Sequence, residues 1–246
     1  MMKKQILSLT LILTFICISL QPVLATYPII IGLSKFKKQD REVRNFTGVA
    51  AGGPIQVIIT LGNTESLRFE GDADAISTLV SEVKGNVLVI RPQTSWTSWA
   101  HKYENKKIIA YVSVKTLKSL TMSGDGKMSV TGTIKTDAFT TTLSGSGSIT
   151  ASVNVNQYTA VISGSGNLNV SGSGDNSTIT ISGSGNFTKK DFAVDNLTAV
   201  VSGSGSINVK VSDSINAVIS GSGKVNYSGN PSIEKRVIGS GGLRKI

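Results

Sequence analysis

Five segments decide how this chain is read: LSGSGSI at 143–149, ISGSGNL at 162–168, ISGSGNF at 181–187, VSGSGSI at 201–207 and ISGSGKV at 219–225. A looser copy, MSGDGKM, precedes them at 122–128, and a last one carries its glycine pair at Gly239 and Gly241. The first glycines are Gly124, Gly145, Gly164, Gly183, Gly203, Gly221 and Gly239, separated by 21, 19, 19, 20, 18 and 18 residues. The second glycines are Gly126, Gly147, Gly166, Gly185, Gly205 and Gly223 in the first six copies. A short period held through seven copies marks a stacked repeat. A further pair, Gly172 and Gly174, falls out of phase and reads as an ordinary turn.

The flanks repeat with the glycines. Two residues before the first glycine stand Met122, Leu143, Ile162, Ile181, Val201 and Ile219. Four residues after it stand Met128, Ile149, Leu168, Phe187, Ile207, Val225 and Leu243, and two further on Val130, Ala151, Val170, Lys189, Val209 and Tyr227. Alternation of apolar and polar residues is the period of a strand. Each copy therefore reads as strand, Gly-x-Gly corner, strand and polar return. In the last copy Ile238 stands directly before Gly239, which reads as one residue missing.

One copy cannot fold alone. It buries about three apolar side chains, worth roughly 1.5–3 kcal/mol each, whereas ordering its residues costs about 1–2 kcal/mol apiece. Stacking lets each backbone pair with its neighbours and joins the small apolar sets into one column. The period is too short for a helix pair and β-branched residues dominate, so the fold class is all-β: a β-solenoid with one coil per repeat. A tight corner repeated in every coil needs backbone angles that a Cβ disfavours. Ser144, Ser163, Ser182, Ser202 and Ser220, just before the glycines, are placed to form a hydroxyl ladder. Alanine at Gly164 is expected to destabilise the protein.

Residues 42–119 read as strands without the glycine corner, at Thr47–Ala51, Ile55–Leu61, Ser66–Glu70, Val87–Arg91 and Lys107–Val114. A short helix fits 72–83, with Asp72 as its cap and Ile76, Leu79, Val80 and Val83 on one face. This half is expected to continue the sheet and cover the N-terminal end of the solenoid, an edge otherwise open to aggregation.

At the start, Lys3 and Lys4 precede an apolar run, Ile6 to Leu20, and then Pro22 and Val23-Leu24-Ala25. This is the layout of a secretory signal peptide over residues 1–25, and the run is shorter than the roughly 20 residues of a membrane span. Residues 26–41 read as a basic linker and 42–246 as one domain, with regular repeats from 120. Cleavage removes Cys17, the only cysteine, so the exported chain would use no disulfides. No later segment reaches transmembrane length. The expected location is the periplasm, the cell surface or the medium.

Across 246 residues the net charge is +10, falling to +8 after cleavage, with +5 in residues 26–119 and +3 in 120–246. For an exported chain this favours an anionic envelope polymer over nucleic acid. One histidine and one cysteine exclude histidine-rich or cysteine zinc centres.

The ladder SGSGSI, SGSGNL, SGSGNF, SGSGSI and SGSGKV resembles the bacterial exported family named "putative autotransporter adhesin, head GIN domain". So do Asn45-Phe46-Thr47-Gly48-Val49, then Ile55-Gln56-Val57-Ile58-Ile59, and the segment Asn86-Val87-Leu88-Val89-Ile90. The resemblance covers about residues 42–244. It implies a single-stranded right-handed β-helix with an irregular N-terminal part, and brings no catalytic residues. A translocator barrel of the kind an autotransporter carries is not expected in residues 1–246.

A phosphate-cradling glycine loop needs a following helix N-terminus, and here a strand follows. Calcium-binding rolls need a recurrent aspartate, but Asp125 fills the middle position in one copy only. A polysaccharide-cleaving enzyme needs clustered carboxylates. Asp125, Asp137, Asp175, Asp191, Asp195, Asp213 and Glu234 fall at varied phases, with Asp191 and Asp195 the closest pair. An ice-binding face needs Thr-x-Thr in every coil, and Thr140, Thr141, Thr142, Thr178 and Thr180 do not repeat so.

The one irregular feature is 96–103, where Trp96, Trp99, His101 and Tyr103 cluster beside Lys102, Lys106 and Lys107. Aromatic faces beside polar donors suit sugar stacking or an anionic partner; the same bulk suits a cap on the apolar column. The leading reading is a non-enzymatic exported module that binds a surface glycan, an envelope polymer or a protein, with no cofactor and no metal. A carbohydrate-active β-helix enzyme and a periplasmic scaffold without ligand are the alternatives.

Overall fold

In the computed structural model, which describes residues 36–102, 106–188 and 191–246, the repeats stack in parallel register. The expected signal peptide, residues 26–35 of the linker, Tyr103 and Lys189 lie outside the described residues. Strands β9 (Lys127–Gly145), β10 (Ser148–Gly164), β11 (Asn167–Gly183), β13 (Phe192–Gly203), β14 (Ser206–Gly221) and β16 (Ser232–Ile238) place each glycine corner over the one before it. The register offsets reproduce the sequence spacing: Gly164 pairs with Gly183, and Gly203 with Gly221. Leu143, Ile162, Ile181, Val201, Ile219 and Val237 form one inward column, and all but Val237 are buried. Ile149, Leu168, Phe187, Ile207 and Val225 form a second. The solenoid core is the sum of such columns, with rungs about 4.8 Å apart.

Gly164 shows why the corner is glycine. Its φ is +114°, and an added Cβ would lie 2.6 Å from the Gly145 carbonyl oxygen. Outside, the serines before the glycines are exposed and in register. Side-chain ladders bond the rungs elsewhere. Asn186 Nδ2 donates to Asn167 Oδ1 at 3.2 Å and Ser206 Oγ donates to Asn186 Oδ1 at 2.7 Å.

Two expectations about the repeat are corrected. Gly172 is not an ordinary turn residue. It lies within β11 between Val153 and Phe192 of the neighbouring rungs, with φ +105°. It marks a second bend, away from the Gly-x-Gly corner. Nor is a residue missing in the last copy. Val237 pairs with Ile219 in the apolar column and Ile238 pairs with Ser220, so isoleucine occupies the serine position.

The N-terminal half contains a hidden corner. Strands β2 (Gly48–Gly52) and β3 (Gln56–Leu61) meet at Gly53, φ +87°, and pair in parallel with β8 (Ser119–Gly124) and β9. Gly52-Gly53-Pro54 does not spell Gly-x-Gly, which is why 42–119 read as corner-free. A further layer continues the stack, with β6 (Val87–Pro92) parallel to β2 and β7 (Ile108–Val114) parallel to β3. The chain then turns antiparallel: β5 (Leu79–Lys84) pairs with β6, β4 (Ser66–Asp72) with β7, and β1 (Phe36–Arg41) with β4. Residues 36–41, read as linker, are therefore a strand. The Arg41 guanidinium fixes it, donating to the carbonyls of Leu79 at 2.7 Å and Ile76 at 2.9 Å and lying 4.7 Å from the Phe69 ring centroid.

The helix expected over 72–83 is shorter. α1 spans Ala73–Ser77, and Asp72 Oδ1 accepts from the backbone N–H groups of Asp74 and Ala75, both at 3.1 Å. Leu79–Lys84 is drawn into β5 instead. Gly85 and Asn86, at φ +53° and +65°, make the tight reversal that zips it onto β6. Buried Ala75 and Ile76 join the core at this end.

The bonded Lys106 ammonium and the Ala75 N–H hold the Asp72 carboxyl below its ordinary range. A carboxylate with a depressed folded pKa contributes stability above its unfolded value of about 3.9, and that contribution is lost as pH falls from there through the folded pKa. Thermal melts between pH 5 and 3 should show a shallower fall for Asp72→Asn, which keeps a capping oxygen but carries no charge.

Candidate functional site

In the regular coils a Gly-x-Gly corner joins the two faces. Between β6 and β7 that corner is replaced by an excursion that starts at Gln93 and carries α2 (Trp96–Lys102). The start of the excursion stands against the outer face of β2, β6 and β8 and makes an open groove of about 390 Å³. Its floor includes the outward residues Ala50, Val89 and Thr121, which alternate with the buried Ala51, Leu88, Ile90 and Leu120. Pro92, Thr94 and Ser95 wall one side, and Arg91 and Ser123 also line it. The lining is mostly apolar with hydroxyls and one guanidinium, and the volume lies in the range of about 300–1,000 Å³ typical of ligand sites.

The expected aromatic cluster divides. Trp99 is 3 % exposed and belongs to the core, and its Nε1 donates to Thr78 Oγ1 at 2.7 Å. On the seven-residue α2 this ring is turned into the core. His101 is exposed. Trp96 opens the helix directly after Ser95 of the groove, while Tyr103 lies outside the described residues. Lys106, expected beside the cluster, is paired with Asp72 at 2.9 Å. The sequence reading missed the groove itself, because its floor comes from three strands that are distant in the chain. The signal available was the outward alternation of small residues at Ala50, Val89 and Thr121.

Glu82 and Asp195 have structural partners. Glu82 is held below the usual carboxylate range by Lys84 and Arg91. Asp195 is exposed on a rung and accepts from Ser212 Oγ at 2.7 Å. Asp191 is exposed, and its main-chain oxygen accepts from the Gly172 N–H at 3.1 Å. Among the described residues no group of three or more His, Cys, Asp or Glu is placed to hold a metal ion, and no helix is long and apolar enough to cross a membrane.

Comparison with known proteins decides the family. The profile described as "Putative auto-transporter adhesin, head GIN domain" matches residues 45–231. The chain belongs to the head GIN domain family. Solved structures share the fold of this head GIN chain. A "putative adhesin" from Bacteroides fragilis superposes with a TM-score of 0.74 at 19 % identity, covering 86 % of this chain and 97 % of its own. A "putative adhesin" from Parabacteroides distasonis gives 0.71 at 19 %, covering 87 % and 98 %. A "putative lipid binding protein" from the same species gives 0.68 at 20 %, covering 87 % and 98 %. Among proteins of curated function none matches. The head GIN match thus gives the chain an adhesin-like family, and the neighbours give it a fold.

Proposed function

We propose that this head GIN chain is a non-enzymatic exported module of the envelope or cell surface, and that the groove beside α2 takes a saccharide of a surface glycan. The observation that carries the reading is the replacement of one glycine corner by an excursion that builds a groove on an otherwise regular solenoid. Ala50 and Val89 offer an apolar floor to the C–H face of a sugar ring. Thr94, Ser95, Thr121 and Arg91 offer hydrogen bonds to its hydroxyls or to an acidic substituent. The adhesin description of the family and the signal-peptide layout of residues 1–25 support export and contact with a partner. Asp72, Glu82 and Asp195 serve a cap, an ion pair and a rung, which supports binding rather than hydrolysis.

Calorimetric titration of the chain without residues 1–25 against a saccharide panel tests this. Val89→Arg puts a long side chain across the floor from a half-exposed position. It should weaken saccharide binding by about tenfold or more, equivalent to roughly 1.4 kcal/mol, and leave the melting temperature within a few degrees. Absence of binding across the panel, or binding that Val89→Arg leaves unchanged, would refute the groove.

A further inference from the structure

The two ends of the solenoid differ. At the N-terminal end α1, Trp99 and the antiparallel strands add to the core. At the other end β16 pairs with β14 alone among the described residues, and all seven of its residues are exposed. Of the six exposed large apolar residues among the described ones, Ile233, Val237, Ile238 and Ile246 lie in this last coil. Lys235, Arg236, Arg244 and Lys245 lie there too, against the single acid Glu234. A strand with a free row of backbone N–H and C=O groups is a template for a further strand.

The inward columns say what that strand must carry. Leu197, Ile215 and Ile233 form one column, Ala199, Ala217 and Lys235 the next, and Val201, Ile219 and Val237 the third. The exposed rung thus ends the core with apolar, cationic and apolar residues at the two-residue strand period. On the outer face Glu234 and Arg236 alternate with them. We infer that the C-terminal edge of the solenoid, β16, binds an extended acidic peptide segment by strand addition, in parallel. The segment reads apolar, basic, acidic, acidic, apolar opposite Ile233, Glu234, Lys235, Arg236 and Val237. Charge complementarity selects this occupant over a second copy. Two copies paired antiparallel about Lys235 would set Glu234 against Arg236 favourably, but would bring the two inward ammonium groups together on the axis. An inward charge of this kind is a device that keeps edges from self-pairing.

The test is independent of the groove. Fluorescence anisotropy would follow a labelled seven-residue peptide with the stated five-residue pattern at its centre, and a control with lysine in place of the acid facing Lys235. Wild-type protein should prefer the acidic peptide by roughly fivefold, the scale of a cross-strand charge pair. Lys235→Glu should reverse the preference and Lys235→Gln abolish it. All three proteins should share one circular dichroism spectrum, because the side chain is exposed. Equal binding of the two peptides, binding of neither, or a preference that survives Lys235→Glu would overturn the proposal. So would a wild-type dimer in sedimentation. Tight binding to phosphatidylglycerol vesicles with no peptide binding would replace the peptide by a lipid surface.

Discussion

Alanine at Gly172 is expected to lower stability by about 4 kcal/mol, combining a left-handed backbone cost of about 1–3 kcal/mol with overpacking of similar size. The added Cβ would lie 1.9 Å from the Val153 carbonyl oxygen, closer than any tolerated contact, at a φ of +105°. That carbonyl belongs to the adjacent rung, and moving it displaces a paired strand rather than a flexible side chain. Alanine at Gly164 meets the Gly145 carbonyl at 2.6 Å and should produce a smaller loss in the same direction. Chemical denaturation of both variants beside wild type checks the order. Equal midpoints for Gly172→Ala and wild type would mean that the bend does not stack as described.

Truncating Tyr158 to alanine should cost about 3–5 kcal/mol, the range for deleting a buried aromatic side chain. The ring is fully buried, with centroids 6.2 Å from Phe139, 6.2 Å from Phe187 and 5.2 Å from Phe192. It meets aromatic side chains from two other coils of the solenoid, so the cavity would open where coils meet. Its hydroxyl and Thr141 Oγ1 lie 2.7 Å apart, and burial pushes the phenol pKa up, so it stays protonated. Tyr158→Phe alone should cost about 1 kcal/mol, whereas adding Thr141→Val should recover part of it, because removing both partners leaves no buried polar group unpaired. Thermal melts of the single and double variants measure that coupling. Strict additivity of the two losses would count against the bond.

The regular half was legible because its repeat period and its strand register are the same quantity. Once the glycines are aligned at 18 to 21 residues, the inward residues follow. The exceptions were local. Ile238 looked like a deletion because an apolar residue occupied the serine position, although Val237 kept the column intact. The N-terminal half was less legible because its layers are built from strands far apart in sequence, such as Gly48 opposite Val87 and Ser119. Leu79, Val80 and Val83 fit a helix face or a half-buried strand equally well. The reversal at Gly85 and Asn86, through pairing with β6, decided for the strand. Within the aromatic segment, Trp99 is turned inward on α2, and the groove borders Thr94 and Ser95 instead. The groove floor had no contiguous sequence signal.

Adhesion requires that the chain be reachable from outside the cell. Protease treatment of intact native cells, with the protein followed by antibody and an internal envelope protein as control, measures this directly. The account predicts that the protein is digested while the control stays protected. Protection of both until the envelope is opened would contradict a surface role and leave a module that works inside the envelope.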